Sequence, residues 1–400
     1  MRKIPLLVVA LFANILFSFS QVNAPGDSAQ YKERKLKVEE VNFVSGYYQQ
    51  DGNHSGVTGG IGTEYLTDFA GTIELKLSTL NKKGNKHSLF FESGADTYTS
   101  ASSDSIEPLS GPSRQDLRIY PSLSYSTEDI KRHVTLGAGI SYSHEYDYES
   151  RGVNLSFVKS SKDNNREWGI NLFAYFDMWR VIYPYELRPP GYGTGSNSKD
   201  VDILPRNSYQ ASFSLSQVIN KKLQLALLFD PAYQQGQLTT LYQRVYFDDS
   251  SKRVEKLPDN RFKIPVAIRA NYFLTDRFII RAYYRFYYDD WGNTAHTTNL
   301  EMPVKLTPFF SLSLFYRYSV QSGIDYFAPY LTHSVNEEFY TSDYDLSPFN
   351  SHFIGMGIRI APPKGIFGNK HFNSLEIRYA YYVRSTALIG NSVTLALKFK

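Results

Sequence analysis

The chain has 400 residues, 43 basic against 39 acidic side chains, a formal charge of +4 and no cysteine. A balance this close to neutral gives no electrostatic case for a nucleic-acid partner. The absence of cysteine excludes disulfides, thiolate metal sites, a thiol nucleophile and attachment of lipid to an N-terminal cysteine. The aromatic content is the unusual part, 16% with 32 Tyr but only 3 Trp; an apolar ring with a wet hydroxyl suits a membrane–water interface.

From the N-terminus, Arg2 and Lys3 precede an apolar run from Leu6 to Phe17 and the small residues Ser18 and Ser20. This is the pattern of a secretory leader, expected to cover residues 1–20. The run is too short to cross a bilayer as a helix, and no later segment reaches about 18 uninterrupted apolar residues. Residues 21–40 are polar, end in the charged run Lys32–Glu40, and are expected to form a periplasmic lead-in. From 41 to 400 the chain repeats one unit, about ten residues of alternating polarity followed by a turn, as barrel strands do.

Ile280–Tyr288 shows the unit clearly. Arg281, Tyr283, Arg285 and Tyr287 share one face; Ile280, Ala282, Tyr284, Phe286 and Tyr288 share the other, since side chains alternate along a strand with period two. Strand-like runs begin near Asn42, Thr72, His87, Asp116, His133, Arg151, Trp168, Ser208, Leu223, Lys263, Phe278, His296, Phe310, Ser351, Phe372 and Asn391. Short connections lie near 81–86, 127–132, 160–167, 220–222, 274–277 and 307–308, and long ones at 51–71, 95–115, 179–207, 234–262 and 321–350. Short and long connections alternate. The prediction is an all-β protein, a transmembrane antiparallel β-barrel of about 16 strands (roughly 14–18), with short periplasmic turns and long extracellular loops. Leu241–Phe247, inside a long loop, is a candidate extra strand above the membrane. Pro121 and Pro303 fit worst, because proline removes a ladder donor.

The apolar register can be followed from strand to strand. Ile73, Leu75 and Leu77 share a face, as do Leu312, Leu314, Tyr316 and Tyr318, then Ile354, Met356, Ile358 and Ile360, then Leu375, Ile377, Tyr379, Tyr381 and Val383. The opposite faces carry Glu74, Lys76, Arg118, Arg269, Arg281, Arg285, Glu301, Arg317, Arg359, Glu376 and Arg378. An Arg or Lys at the bilayer midplane on the lipid side costs roughly 2–4 kcal/mol. These charges are therefore expected to face the lumen.

Four strings carry a family resemblance: Gly46–Gly52 (GYYQQDG), His144–Leu155 (HEYDYESRGVNL), Tyr283–His296 (YYRFYYDDWGNTAH) and Phe339–Phe349 (FYTSDYDLSPF). In this order the chain resembles the uncharacterised bacterial outer-membrane family called domain of unknown function 3570. The resemblance implies an outer-membrane barrel and no particular activity. Ser93, Gly94 and Ala95 match a string frequent in that family, but Asp96 and Thr97 depart from its continuation, so no role is carried over.

The inner arginines admit two readings. They form a basic ladder favouring anions in a water-filled pore, or they brace the barrel by pairing with Glu301 and Glu376. The aspartates at 147, 248, 249, 289, 290, 325, 343 and 345 read as turn formers at loop ends rather than calcium ligands. Trp291 reads as a girdle tryptophan in a hairpin loop. The eight histidines are scattered, and no Gly-x-Ser-x-Gly string appears. No metal, cofactor or catalytic residue is expected. The leading expectation is a porin-like channel in a Gram-negative outer membrane, passing small polar or anionic solutes and contacting membrane lipid. The main alternative is a non-conducting scaffold for a periplasmic or cell-surface protein, a redox or secretion component; a rim-site enzyme is the weaker one.

Overall fold

Alternating polarity permits pairing only with other strands of the same kind, because each backbone donor and acceptor must find a partner where water is absent. The computed structural model describes residues 36–99, 115–190 and 202–400. Its strands are β1 Lys37–Asp51, β2 Leu66–Leu80, β3 Lys86–Thr99, β4 Gln115–Asp129, β5 Val134–His144, β6 Tyr148–Ser160, β7 Arg166–Arg180, β8 Ile203–Asn220, β9 Leu223–Phe229 and β10 Ala232–Gly236. After a small hairpin of β11 Arg244–Tyr246 and β12 Lys252–Val254 come β13 Asn260–Phe273, β14 Ile279–Asp289, β15 Thr294–Lys305, β16 Phe310–Gln321, β17 Phe349–Ile360, β18 Phe372–Arg384 and β19 Leu388–Phe399.

Neighbours in sequence pair antiparallel, and β19 returns to β1 from Val41↔Phe399 to Asp51↔Ile389, closing the sheet. β9 and β10 lie end to end between β8 and β13, so the ring has sixteen positions. The leader expected at 1–20 and most of the expected lead-in lie outside the described residues. Pairing begins before position 41, with Glu40 opposite Lys76 and Val38 opposite Leu77.

Prolines mark the weak points of the ladder. Between β4 and β5 pairing lapses at Tyr120 and Pro121 and resumes in the same register at Ser122↔Ser141. Between β14 and β15 it stops at Arg281↔Glu301 and returns as the single bridge Phe278↔Val304, skipping Pro303. The β9–β10 break falls at Asp230–Pro231, beside Pro265 of β13. Each proline sits where a donor is missing and the neighbouring strand tolerates the gap.

The outer face carries the apolar register. Leu155, Ile140 and Ile354 are each about 60% exposed, as expected of side chains that meet lipid. Tyrosines ring this belt, and three share hydrogen bonds with outward histidines: Tyr284 with His296 at 2.7 Å, Tyr316 with His352 at 2.7 Å, and Tyr125 with His87 at 2.6 Å. Four of the apparently scattered histidines, these three and His144 stacked on Tyr142, belong to this aromatic surface.

One rim holds the short turns and the C-terminus. The opposite rim holds the long loops, but the alternation there is not uniform: the β5–β6, β14–β15 and β18–β19 connections are tight. Asp289 explains one of them. Fully buried, it accepts from the backbone N–H of Trp291 (3.0 Å) and Asn293 (3.2 Å), from the Tyr287 hydroxyl and from Arg261. Trp291 is not a girdle residue. It is 3% exposed, packs with Leu257 and Ile324, and lies under the Arg261 guanidinium at 4.3 Å.

Candidate functional site: a charged lumen beneath a loop cap

Register passes inward parity from strand to strand. Glu74 and Lys76 on β2, Arg118 on β4, Arg269 on β13, Arg281 and Arg285 on β14, Glu301 on β15, Arg317 on β16, Arg359 on β17, and Glu376 and Arg378 on β18 all lie on the face opposite the apolar belt. Residues of this parity from β3 through β14 line one cavity of about 790 Å³, which only the inside of a closed sheet can provide. A second cavity of about 500 Å³ includes Glu74 and Lys76, and a third of about 290 Å³ includes Glu301, Arg317 and Arg378.

The charges divide into braces and free groups. Arg378 reaches Glu301 at 3.2 Å and Glu376 at 3.1 Å and lies over the Phe315 ring. Arg281 is 3.6 Å from Glu301, and Lys76 is 3.4 Å from Glu39. Arg118 donates to Ser143 at 2.9 Å and covers Tyr120, while Glu74 accepts from Asn42 at 2.8 Å. By contrast Arg269, Arg285, Arg317 and Arg359 form no ion pair among the described residues and all four are exposed, Arg269 lying over the Tyr283 ring at 6.0 Å and Arg317 over Phe353 at 5.4 Å. On an inward face, exposure means open, hydrated space in front of the side chain.

Several inner groups escaped the sequence reading. Arg206 pairs with the buried Asp177 at 2.9 Å, and Lys263 donates to Gln234 at 2.5 Å. Glu92 lines the large cavity. The alternation Leu89-Phe90-Phe91-Glu92 holds the signal that would have found it, since Leu89 and Phe91 face outward.

Above the lumen the long loops fold together. Arg244, at the start of β11, donates to Glu186 of the β7–β8 loop at 2.7 Å and to the Val57 carbonyl of the β1–β2 loop at 2.7 Å. Strands β2 to β7 separate those two loops around the ring, so the β10–β13 loop extends across the mouth. It also pairs with the β16–β17 loop: Lys256 and Tyr340 exchange both backbone hydrogen bonds, and Phe247 bridges His333. Val245, Phe247 and Tyr340 make a small apolar core there. Gly59 and Gly60 of the β1–β2 loop have positive φ and fit closely; a Cβ would stand 2.6 Å from Tyr246 and 2.7 Å from the Ser342 carbonyl. The candidate strand Leu241–Phe247 is realised as β11, paired with β12 in the cap.

The cap encloses carboxyl groups. Glu255 is 2% exposed and accepts from the Thr240 N–H at 2.6 Å and from the Thr341 hydroxyl. Burial, then the nearby Asp343, raises its pKa to about 8. Burial likewise pushes Glu64 up to about 7 against the pull of Arg384, and raises Asp343, with Asp345 adding to it. Asp147 in the β5–β6 turn rises to about 6 through burial and Glu145. Arg384, almost wholly buried, is the cation of this region, bonded to Asp345 and 3.7 Å from Glu64. Glu186 is held near 2 by its bond to Arg244.

A closed ladder, an apolar outer belt and a charged inner face define a transmembrane β-barrel. The chain belongs to the family described as protein of unknown function (DUF3570), whose model matches residues 15–396. Among solved structures it is similar to OccAB1 of Acinetobacter baumannii, with 11% identity, 93% of this chain and 99% of that chain covered, and a TM-score of 0.45. A bacterial polysaccharide outer membrane secretin gives 12%, 90%, 98% and 0.44, and OccD3 (OpdP) of Pseudomonas aeruginosa gives 8%, 95%, 96% and 0.44. No curated protein sequence matches. Identity this low transfers no residue role.

Proposed function

We propose that this protein is an outer-membrane conduit for small polar solutes, biased towards anions, with the loop cap as the filter at its outer mouth. The observation that carries the reading is the arc of Arg269, Arg285, Arg317 and Arg359, exposed on the inward face and without ion pairs among the described residues. A guanidinium group used only as a brace would be neutralised, as Arg378 is. Left free along a hydrated wall, such groups concentrate anions. Transport rather than catalysis is the proposed role.

The test is ion current through the purified barrel in a planar bilayer. Arg285→Glu combined with Arg317→Glu should move the reversal potential in a salt gradient towards cation selectivity. A bilayer that stays sealed, with barrel insertion verified, would leave the scaffold reading. The cap favours that second reading, since loops from four connections meet over the lumen. Co-purification of a stoichiometric partner would support it further.

A further inference from the structure

Most inner charges without an ion pair among the described residues separate by sign onto different arcs, with Asp230 beside β13 an exception; Glu301, Glu376 and Asp289 on the basic side are held by Arg378 and Arg261. On β2 and β3 the inward positions hold Asp68, Glu74, Glu92 and Asp96. The lysines of these strands, Lys76 and Lys86, are both engaged by Glu39, at 3.4 and 2.7 Å. The free arginines lie on β13, β14, β16 and β17. Between the arcs, β5 and β6 present an uncharged panel of small side chains inward, including Gly137, Gly139, Ser141, Ser143, Ser150 and Gly152. This panel removes bulk and charge from one side of the lumen.

The opposition is sharpest at Glu92 and Arg285. With β9 and β10 counted as one position, β3 and β14 are eight positions apart in the ring of sixteen, on opposite sides of the barrel. Both residues line the same cavity of about 790 Å³. Neither forms an ion pair among the described residues, and Arg118, on the strand next to β3, is turned to Ser143 and Tyr120. An acid and a base facing each other across hydrated space set up a field perpendicular to the barrel axis. Low-dielectric walls focus such a field. A neutral solute gains nothing from it, and a singly charged ion is drawn to one wall only. A solute with separated charges gains twice, its cationic end towards Glu92 and its anionic end towards Arg285.

We propose that the barrel selects zwitterionic solutes of the amino-acid and short-peptide class, oriented between Glu92 and Arg285. This rests on the conduit reading for its physiological meaning, but its test does not. Liposomes carrying the full chain are compared for uptake of glycylglycine and the neutral N-acetylglycinamide. The expected preference for the zwitterion is about threefold or more, falling towards one in both Glu92→Gln and Arg285→Gln. Glu92→Asp and Arg285→Lys, which keep the charges, should retain it. Equal uptake by the unmodified barrel, or sensitivity to Arg285→Gln alone, overturns the proposal while leaving the conduit intact. If the liposomes admit neither solute, the conduit reading falls. Calorimetric titration of the detergent-solubilised barrel with glycylglycine then decides: binding weakened by either charge removal upholds the proposal, and no binding overturns it.

Discussion

The wall and the cap are built by different kinds of contact. In the wall each of the sixteen ring positions pairs with the next, and the period-two pattern fixes which side chains meet lipid and which meet the lumen. In the cap, residues from connections far apart in the chain meet once: Arg244 with Glu186 and Val57, Lys256 with Tyr340, His54 stacked on Tyr344 at 3.9 Å. The wall is a repeated local rule applied sixteen times. The cap is a single tertiary solution seated on that wall.

The strongest way to break this distinction is Trp291→Ala. The indole is the largest side chain in the cluster with Leu257 and Ile324, and its Nε1 donates to the Asn260 carbonyl at 2.8 Å. Its removal should cost the cap about 3–5 kcal/mol. Trypsin cleavage at the exposed Lys252, Arg253 and Lys256 should then accelerate, with no change in the heat-resistant migration of the folded barrel. Loss of that migration would show wall and cap to be one cooperative unit.

The converse substitution is Ile354→Arg, at the middle of β17 on the lipid face. It should destabilise the barrel in a bilayer by roughly 2–4 kcal/mol, read from denaturant unfolding in liposomes. Cap cleavage should not change. An effect near zero would mean that this face does not meet hydrocarbon and that the inside-outside assignment of β17 is wrong.

The same contrast explains what could be read from the sequence. All sixteen strand positions follow from alternation, and so does the inward parity of the arginines, because a strand's faces are encoded within a few residues. The division of those arginines into braces and free groups was not legible. Arg378 and Arg317 look alike in sequence, and only the register that sets Arg378 near Glu301 separates them. Trp291 looked like a girdle residue because its exposure depends on Leu257 and Ile324, which reach it from two other connections. The resemblance to the family pointed to the barrel as well, yet it held no signal for the cap's buried carboxyl groups. Glu255 and Glu64 are ordinary polar loop residues until the loops close over them.

Those carboxyl groups give the clearest test of the cap as a separate unit. Glu255 has its pKa raised from 4.5 to about 8 and Glu64 to about 7, both chiefly by burial. A raised pKa means that the closed cap binds these protons more tightly than the open one. The contribution of these two groups to closure is therefore full below about pH 4.5, where both states are protonated, and is lost as pH rises through 7 to 8. Trypsin cleavage at Lys252, Arg253 and Lys256, normalised to that of the unfolded chain, should be slower at pH 6 than at pH 8.5. Glu255→Gln should flatten most of this dependence, because a neutral amide keeps its place beside Thr240 and Thr341 without a proton to lose. The wall carries neither Glu255 nor Glu64, so Glu255→Gln should change the cap's pH profile and leave the wall's denaturant midpoint where it is. If the two move together, closure of the cap is coupled to the stability of the ladder beneath it.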